Sequence, residues 1–248
     1  MRGQFQLDTL GEVLTLFAAA HRHGLLDSRQ WKAARLAAEV IEARWEEPDA
    51  GIWELHDDRW THSRLACVAG LRAMGAVAPG PEGAAWTALA DRILAATSAE
   101  CLHESGRWQQ SPSHERVDAA LLLPPVRGAL PADDPRTVLT RKAVSDELTT
   151  DGYVYRFRHD DRPLDHAEGA FTLCGFLMAL SQAHGGDAVA AMHFLERARG
   201  TCSTSSLFTE EFDVLQRQLR GNFPQAFVQA VLIEAAATLS GLLDDVGR

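Results

Sequence analysis

Residues 6–45 read QLDTLGEVLTLFAAAHRHGLLDSRQWKAARLAAEVIEARW, and their periodicity decides the fold class. Leu7, Leu10, Leu14 and Phe17 recur at steps of three and four, which puts them on one face of a helix from about Gln6 to His23. Gly24 ends that helix. Asp27-Ser28 are good N-cap residues, and from them Trp31, Ala34, Ala38, Ile41 and Trp45 form a second stripe until Pro48 forbids continuation. The short loop between the two stripes predicts an antiparallel helical pair.

The same unit returns along the chain. His62 to Met74, Trp86 to His103, Arg116 to Leu123, Asp134 to Leu148, His166 to His184, Asp187 to Arg199 and Phe223 to Leu243 all read as helices. Breakers separate them at Pro79 to Gly83, at Pro124-Pro125, at Gly185-Gly186 and at the Asn222-x-Pro224 helix opening. Tyr153 to Phe157 alternates like a strand without an evident partner, and is read as part of a long loop. About nine alanine-rich helices with short connections fit an open solenoid or an α/α toroid, and the lack of a fixed-period repeat favours the toroid. The segments of most functional character, Trp45 to Ser63, Gly152 to Glu168 and Leu207 to Gly221, lie between helices, as loops over one mouth of a toroid would.

Composition bounds the rest. A chain of 248 residues with 46% hydrophobic content can bury one sizeable core, so a single domain over 1–248 is expected. A formal charge of -10 opposes nucleic acid and anionic membranes, because association would begin with like-charge repulsion. Cys67, Cys101, Cys174 and Cys202 stand far apart and read as thiols of a reducing compartment. Met1 to Thr9 is polar with no export signal, and no apolar run reaches the roughly 20 residues of a membrane span. A soluble, cytoplasmic protein is the expectation.

Two acidic constellations could carry chemistry. Pro48-Asp49-Ala50-Gly51-Ile52-Trp53-Glu54 sets an indole beside a carboxyl after a tight turn. An indole face can cover a sugar ring while its bulk lowers the dielectric around the acid. Thr209-Glu210-Glu211-Phe212-Asp213 puts three carboxylates into four residues, which calls for solvent, a cation or a hydroxyl-rich ligand. Spacing alone favours the plainer reading of each, a core Trp53 with solvated loop charges. Taken together they could serve an inverting glycosidase, which places its two carboxyl groups roughly 6.5–9.5 Å apart around a water. His21-Arg22-His23 and Cys101-Leu102-His103 have metal-like residue types but no zinc spacing, so no metal is expected. No phosphate loop or nucleophile elbow appears.

Six motifs, in order and spanning essentially the whole chain, resemble the catalytic domain of glycoside hydrolase family 15, the glucoamylases and bacterial trehalase-like enzymes. Gly3-Gln4-Phe5-Gln6-Leu7-Asp8 with Gly11-Glu12-Val13-Leu14 is similar to their G-Q-x-Q-x-D…G-E-V-L, and Pro48 to Glu54 to their P-D-x-G-I-W-E. Thr61-His62-Ser63-Arg64, Glu168-Gly169-Ala170-Phe171 with Cys174-Gly175-Phe176, Leu207 to Asp213, and Gly221-Asn222-Phe223-Pro224-Gln225-Ala226-Phe227 complete the series. The resemblance implies an all-α, incomplete (α/α)6 toroid that hydrolyses α-glucosidic bonds with inversion and without a cofactor. It assigns Glu54 as general acid and Glu210 as general base, with Trp53, His62, Arg64, Glu168 and Glu211 lining the sugar site.

Departures are also legible. Leu177 replaces a common Trp, Val228-Gln229 replaces Ser-His, and Arg64 replaces Lys, which is not an equivalent cation. The family's N-terminal β-sandwich and first hairpins, with a W-x-R-D-A-like element, have no counterpart here, so a second copy or a partner chain is expected to complete the ring. The expected ligand is an α-linked glucoside or oligosaccharide such as trehalose or a maltooligosaccharide. The alternative is a catalytically weak or inactive relative that binds saccharides. An epimerase using His62 and His166 is the remaining possibility.

Overall fold

The structure, a computed structural model, describes residues 4 to 246. Gly3, which opens the first motif, lies outside the described residues, as do Met1 and Arg2 of the polar N-terminal stretch. The chain is all-α in character and divides into two compact units, Met1–Glu115 with Leu123–Pro131, and Arg116–Leu122 with Ala132–Arg248. Each unit is built around one helix that is buried over most of its circumference.

The first unit holds α1 (Leu7–Arg22), α2 (Ser28–Arg44), α3 (Thr61–Gly75), α4 (Pro81–Glu100) and the short α5 (Leu123–Val126). The Asp27 carboxylate accepts from the backbone N–H groups of Arg29 and Gln30 while the Gln30 side chain accepts from the Asp27 N–H, a capping box that starts α2. Pro81 opens α4, where its fixed φ and missing N–H cost nothing. The helix expected from Trp86 therefore begins inside the segment read as a breaker. Every residue of α3 from Thr61 to Leu71 is buried, with α1 packed along one side and α4 along another.

Gly11 and Gly70 set the α1–α3 distance. A Cβ on Gly70 would lie 2.2 Å from the Gly11 carbonyl oxygen, and one on Gly11 would lie 2.3 Å from the Ala66 carbonyl. Backbone thus touches backbone. The buried line on α1 consequently runs through Leu7, Gly11, Leu14 and Ala18, while Leu10 and Phe17 of the expected stripe are half-buried.

The second unit holds α6 (Pro135–Glu147), α7 (Thr172–His184), α8 (Ala188–Arg199) and α9 (Ala226–Val246). Here α7 is the central helix, buried at Thr172, along Cys174 to Ser181 and at Ala183, with α8 and α9 against it. Short strands accompany these helices. β1 (Thr149–Thr150) pairs with β2 (Tyr153–Val154), and β3 (Ala170–Phe171), β4 (Glu211–Asp213) and β5 (Gln218–Arg220) form an antiparallel sheet.

Several expectations are corrected. The strand-like Tyr153 to Phe157 does have a partner, Thr149–Thr150, joined through Asp151-Gly152 with φ of 52° and 80°, the two-residue turn that matches strand twist. The helix expected over Arg116 to Leu123 is a 3-10 turn at Ala119–Leu122 that runs into α5, so Pro124-Pro125 sits within the first turn of a helix and does not break one. The helix expected from His166 starts at Thr172, because Ala170–Phe171 pairs with residues about forty positions later, a contact that local periodicity cannot show. The helix expected from Phe223 starts at Ala226.

Two further observations bear on composition. Ala226–Asp244 of α9 is long and apolar enough to cross a membrane by length and composition alone, and 17% of it is buried within the structure, with Phe227 and Ile233 each 70% exposed. This corrects the reading that no apolar run is that long; the isolated polar Gln229 and Glu234 and a central alanine block hide it. The cysteines are free thiols, with Cys67, Cys101 and Cys174 buried and Cys202 exposed.

The close crossing makes a test. Alanine in a helix ordinarily gains about 1 kcal/mol over glycine, but a methyl group at Gly11 or Gly70 has only backbone to displace. Gly70→Ala should destabilise by about 2–3 kcal/mol, the upper range for overpacking, read as a lower urea midpoint at unchanged slope. A midpoint that rises would refute the contact.

Candidate functional site

The loop that enters α3 carries the first acidic constellation. Its feet are Asp49 and Asp58, whose backbones exchange N–H···O=C bonds of 2.9 and 3.0 Å. Between them Gly51 adopts φ of 64°, and any Cβ there would meet the Trp60 indole at 2.6 Å, so the turn demands glycine. The Gln6 side chain reaches across from the start of α1, its Nε2 donating to the Gly51 carbonyl and to Glu54 Oε1, both at 3.1 Å. Glu54 itself has φ of 54°, a left-handed conformation that costs an L-residue about 1–2 kcal/mol. Its side chain is exposed, with Trp53 half-buried beside it.

Asp49 anchors this loop from beneath. It is 1% exposed, and Oδ1 accepts from the Leu7 N–H (3.3 Å), the Gly51 N–H (2.8 Å) and the Ser63 hydroxyl (2.9 Å). Oδ2 is buried without a hydrogen-bond partner among the described residues. Burial pushes the carboxyl up to about 6 against the pull of these donors, and the nearby charge of Asp8 adds to the rise. His62 and Arg64 follow on α3 and are also buried. His62 Nδ1 lies 3.9 Å from Asp8 Oδ2, and neither ring nitrogen has a hydrogen-bond partner among the described residues. Arg64, 1% exposed, donates from Nη1 to Glu100 at 2.8 Å and lies 5.8 Å from the Trp45 ring. The Arg64 bond is the main reason the Glu100 carboxyl is held below its ordinary range.

The second constellation lies at the entry to α7. The Thr172 N–H donates to the Glu210 carbonyl and the Glu210 N–H to the Asn222 carbonyl, each at 3.0 Å, so the backbone of Glu210 is fixed from both sides. Its carboxylate is fixed too. Glu210 Oε2 accepts from the Asn222 N–H (3.1 Å) and Nδ2 (3.0 Å), and a Cβ on Gly221 would lie 2.7 Å from that oxygen. Glu211 Oε2 accepts from the Gly169 N–H at 3.2 Å. Burial raises the Glu211 carboxyl, with the charges of Glu168 and Glu210 adding and the Gly169 N–H and Arg156 opposing. Glu168 is itself 8% exposed at its side chain, held by the Arg156 guanidinium and by His159 Nε2 at 3.0 Å.

Of the residues singled out in the sequence, Trp53 and Glu54 share the first loop, and Glu168, Glu210 and Glu211 gather in the second cluster. His62 and Arg64 belong to the packed body of α3. His166 is largely exposed, with Nε2 4.0 Å from Asp165 Oδ1. Among the metal-like pairs, His21 leans on Trp31 with ring centroids 5.6 Å apart, and His103 Nδ1 meets the Ser105 hydroxyl at 2.9 Å. Sequence reasoning missed Gln6, Asp49 and Asn222 as positioning groups although each lies inside a quoted motif. Arg156 gave no signal, because its partner Glu168 is reached only through a loop.

Residues 1–198 match the profile of "Glycosyl hydrolases family 15", a span that takes in Glu54 and Glu168 and stops short of Glu210. The trehalase of Mycolicibacterium smegmatis is 34% identical over 241 residues, covering 94% of this chain and 36% of its own length. The chain thus spans about a third of the curated relative. A solved structure described as a wild-type glycosidase superposes with a TM-score of 0.84 at 27% identity, over 96% of this chain and 68% of that one. A bacterial glucoamylase complexed with acarbose shares the fold at a TM-score of 0.73 and 17% identity, over 96% of this chain and 41% of that one.

The buried Asp49 carboxyl makes a pH prediction. Its folded-state value near 6 exceeds the ordinary carboxylate value of about 4, so between these the folded state holds a proton that the unfolded state has lost. Stability contributed by this group is therefore full below about pH 4 and falls as pH rises to about 6, by roughly 3 kcal/mol in total. In Asp49→Asn the term vanishes. The unfolding free energy of the wild type relative to Asp49→Asn should fall by about that amount between pH 4 and pH 7 in urea titrations. A constant difference across the range would contradict the assignment.

Proposed function

This chain belongs to glycosyl hydrolases family 15, and from that premise we propose that it serves the inverting hydrolysis of α-glucosidic bonds in trehalose- or maltooligosaccharide-type substrates. Glu54 is the general acid and Glu210 the general base. The observation that carries this reading is that each of these loop carboxylates has one oxygen held by a dedicated amide side chain, Gln6 for Glu54 and Asn222 for Glu210. Solvated loop charges have no need of such partners, whereas acid–base catalysis depends on a carboxyl whose orientation is set before the substrate arrives.

The roles follow from the chemistry. Glu54 donates a proton to the glycosidic oxygen as the bond breaks, and the sugar that docks on Trp53 takes the exposed carboxyl out of water. Glu210 accepts a proton from the attacking water through Oε1 while Asn222 occupies Oε2. Glu168 and Glu211 line the sugar site as hydroxyl acceptors, and the Arg156 guanidinium offsets their mutual repulsion. His62 and Arg64 are buried in α3, where His62 faces Asp8 and Arg64 bonds Glu100.

Glucose release from trehalose, maltose and isomaltose tests the reading. Glu54→Gln and Glu210→Gln should each lose at least about 10²-fold in kcat, the lower range for a general acid or base. The glucose formed at the attacked anomeric carbon should be the β-anomer by proton NMR, so trehalose should give equal amounts of β-glucose and of α-glucose, the latter being the leaving sugar. Asn222→Ala should lower kcat by about tenfold with little change in KM, since it loosens Glu210 and touches no substrate. Wild-type rates in both glutamine variants, or α-glucose alone as first product from trehalose, would defeat the proposal. Saccharide binding without any turnover would favour the non-hydrolytic alternative.

A further inference from the structure

We propose that His56, Asp58 and His114 form a binding site for a divalent transition metal of the zinc type, on the outer side of the loop that carries Glu54. One ligand atom from each residue lies within 4.8 Å of the others. Sequence reading found no such set because the residues come from two loops more than fifty positions apart.

The surroundings hold these residues ready. Asp58 Oδ2 accepts from the hydroxyls of Ser111 and Ser113, both at 2.7 Å, and lies 3.3 Å from His114 Nδ1, while Oδ1 accepts from the Arg59 N–H at 2.7 Å. The buried Trp60 is the floor. Its Nε1 donates to the carbonyls of Asp49 and His56 at 2.9 and 3.3 Å, and its ring lies 5.0 Å from that of His56 and 6.5 Å from that of His114, stacked on the latter. His114 is fixed by paired backbone bonds to Ser111 of 3.2 and 3.3 Å.

Donor chemistry selects the ion. Two imidazoles and one carboxylate suit zinc, copper or nickel, whereas magnesium and calcium favour all-oxygen sites. Donors around a tetrahedral zinc sit about 3.3 Å apart, so the site closes by rotation of two exposed imidazoles. Three protein ligands leave a fourth position for solvent. The serine hydroxyls orient the carboxylate from outside the coordination sphere, as such partners do in metal sites. A bound ion would tie the Glu54 loop to the Ser111–His114 turn. This assignment stands whether or not the chain hydrolyses a glucoside.

Calorimetric titration of the purified protein with zinc chloride in a non-chelating buffer tests it. The wild type should take up one equivalent at this site. His56→Gln and His114→Gln should each bind at least about tenfold more weakly, and the double variant should lose that equivalent, with circular dichroism melts confirming that all remain folded. Magnesium chloride should give no saturable heat. The proposal is overturned if the wild type binds no zinc, if the double variant binds it equally well, or if magnesium binds as tightly.

Discussion

A helix buried on nearly every side leaves no face for solvent, and that constraint organises this protein. α3 accepts it with Ala66 and Gly70, where α1 approaches backbone to backbone at Gly11, and α7 with Gly175 against Ala198. Of the polar groups that α3 carries inward, Ser63 bonds to Asp49 and Arg64 Nη1 to Glu100, while the His62 ring nitrogens and Arg64 Nε are buried without a hydrogen-bond partner among the described residues. Glu54 stands in the loop before α3, Glu168 in the loop before α7, and Glu210 and Glu211 in the segment between α8 and α9 that pairs with the start of α7. Function collects at helix entrances because the helices themselves are fully occupied by packing.

The two entrances solve the same problem by different means. At α3 a single buried carboxyl, Asp49, gathers two backbone N–H groups and a hydroxyl, tying the loop to both α1 and α3. At α7 the work is done by β-pairing: β3 and β4 bring Glu211 opposite Phe171, and the Gly169 N–H then reaches the Glu211 carboxylate. A charge-accepting hub holds donors strongly but makes the loop sensitive to protonation. A strand pair is indifferent to pH.

Legibility in the sequence followed the range of the interactions involved. The helices of α1 to α3 were readable because caps, glycines and the 3.6-residue period act within a few positions. The start of α7 was misplaced because Ala170–Phe171 is held by residues of β4, and the Thr149–Val154 hairpin was passed over although Asp151-Gly152 is a strong local turn signal. Glu54 and Glu210 were legible only through family motifs, since spacing described a solvated charge equally well. Their amide partners sit within those motifs, but nothing in residue type distinguishes Gln6 or Asn222 from an ordinary surface amide. The His56, Asp58 and His114 grouping was invisible because neither segment contains a ligand pair of recognised spacing.

The Glu54 backbone shows why the wiring around it is so dense. A left-handed conformation at a non-glycine residue is disfavoured by about 1–2 kcal/mol, and an exposed loop would ordinarily relax out of it. Here relaxation would break the Gln6 bonds to Gly51 and Glu54 and disturb a loop pinned at both feet, by Asp49 on the inner side and by Asp58 with Ser111 and Ser113 on the outer. A hydrogen bond to a charged group is worth roughly 1.5–3 kcal/mol and a neutral one about 1 kcal/mol, so losing the Gln6 bonds to Glu54 and Gly51 outweighs the relief of strain. The conformation is thus over-determined by its neighbours, the condition under which backbone strain persists at functional sites. The same arithmetic explains the tolerance of an unpartnered Asp49 Oδ2: its companion oxygen accepts three bonds that no neutral, smaller side chain could gather at that point.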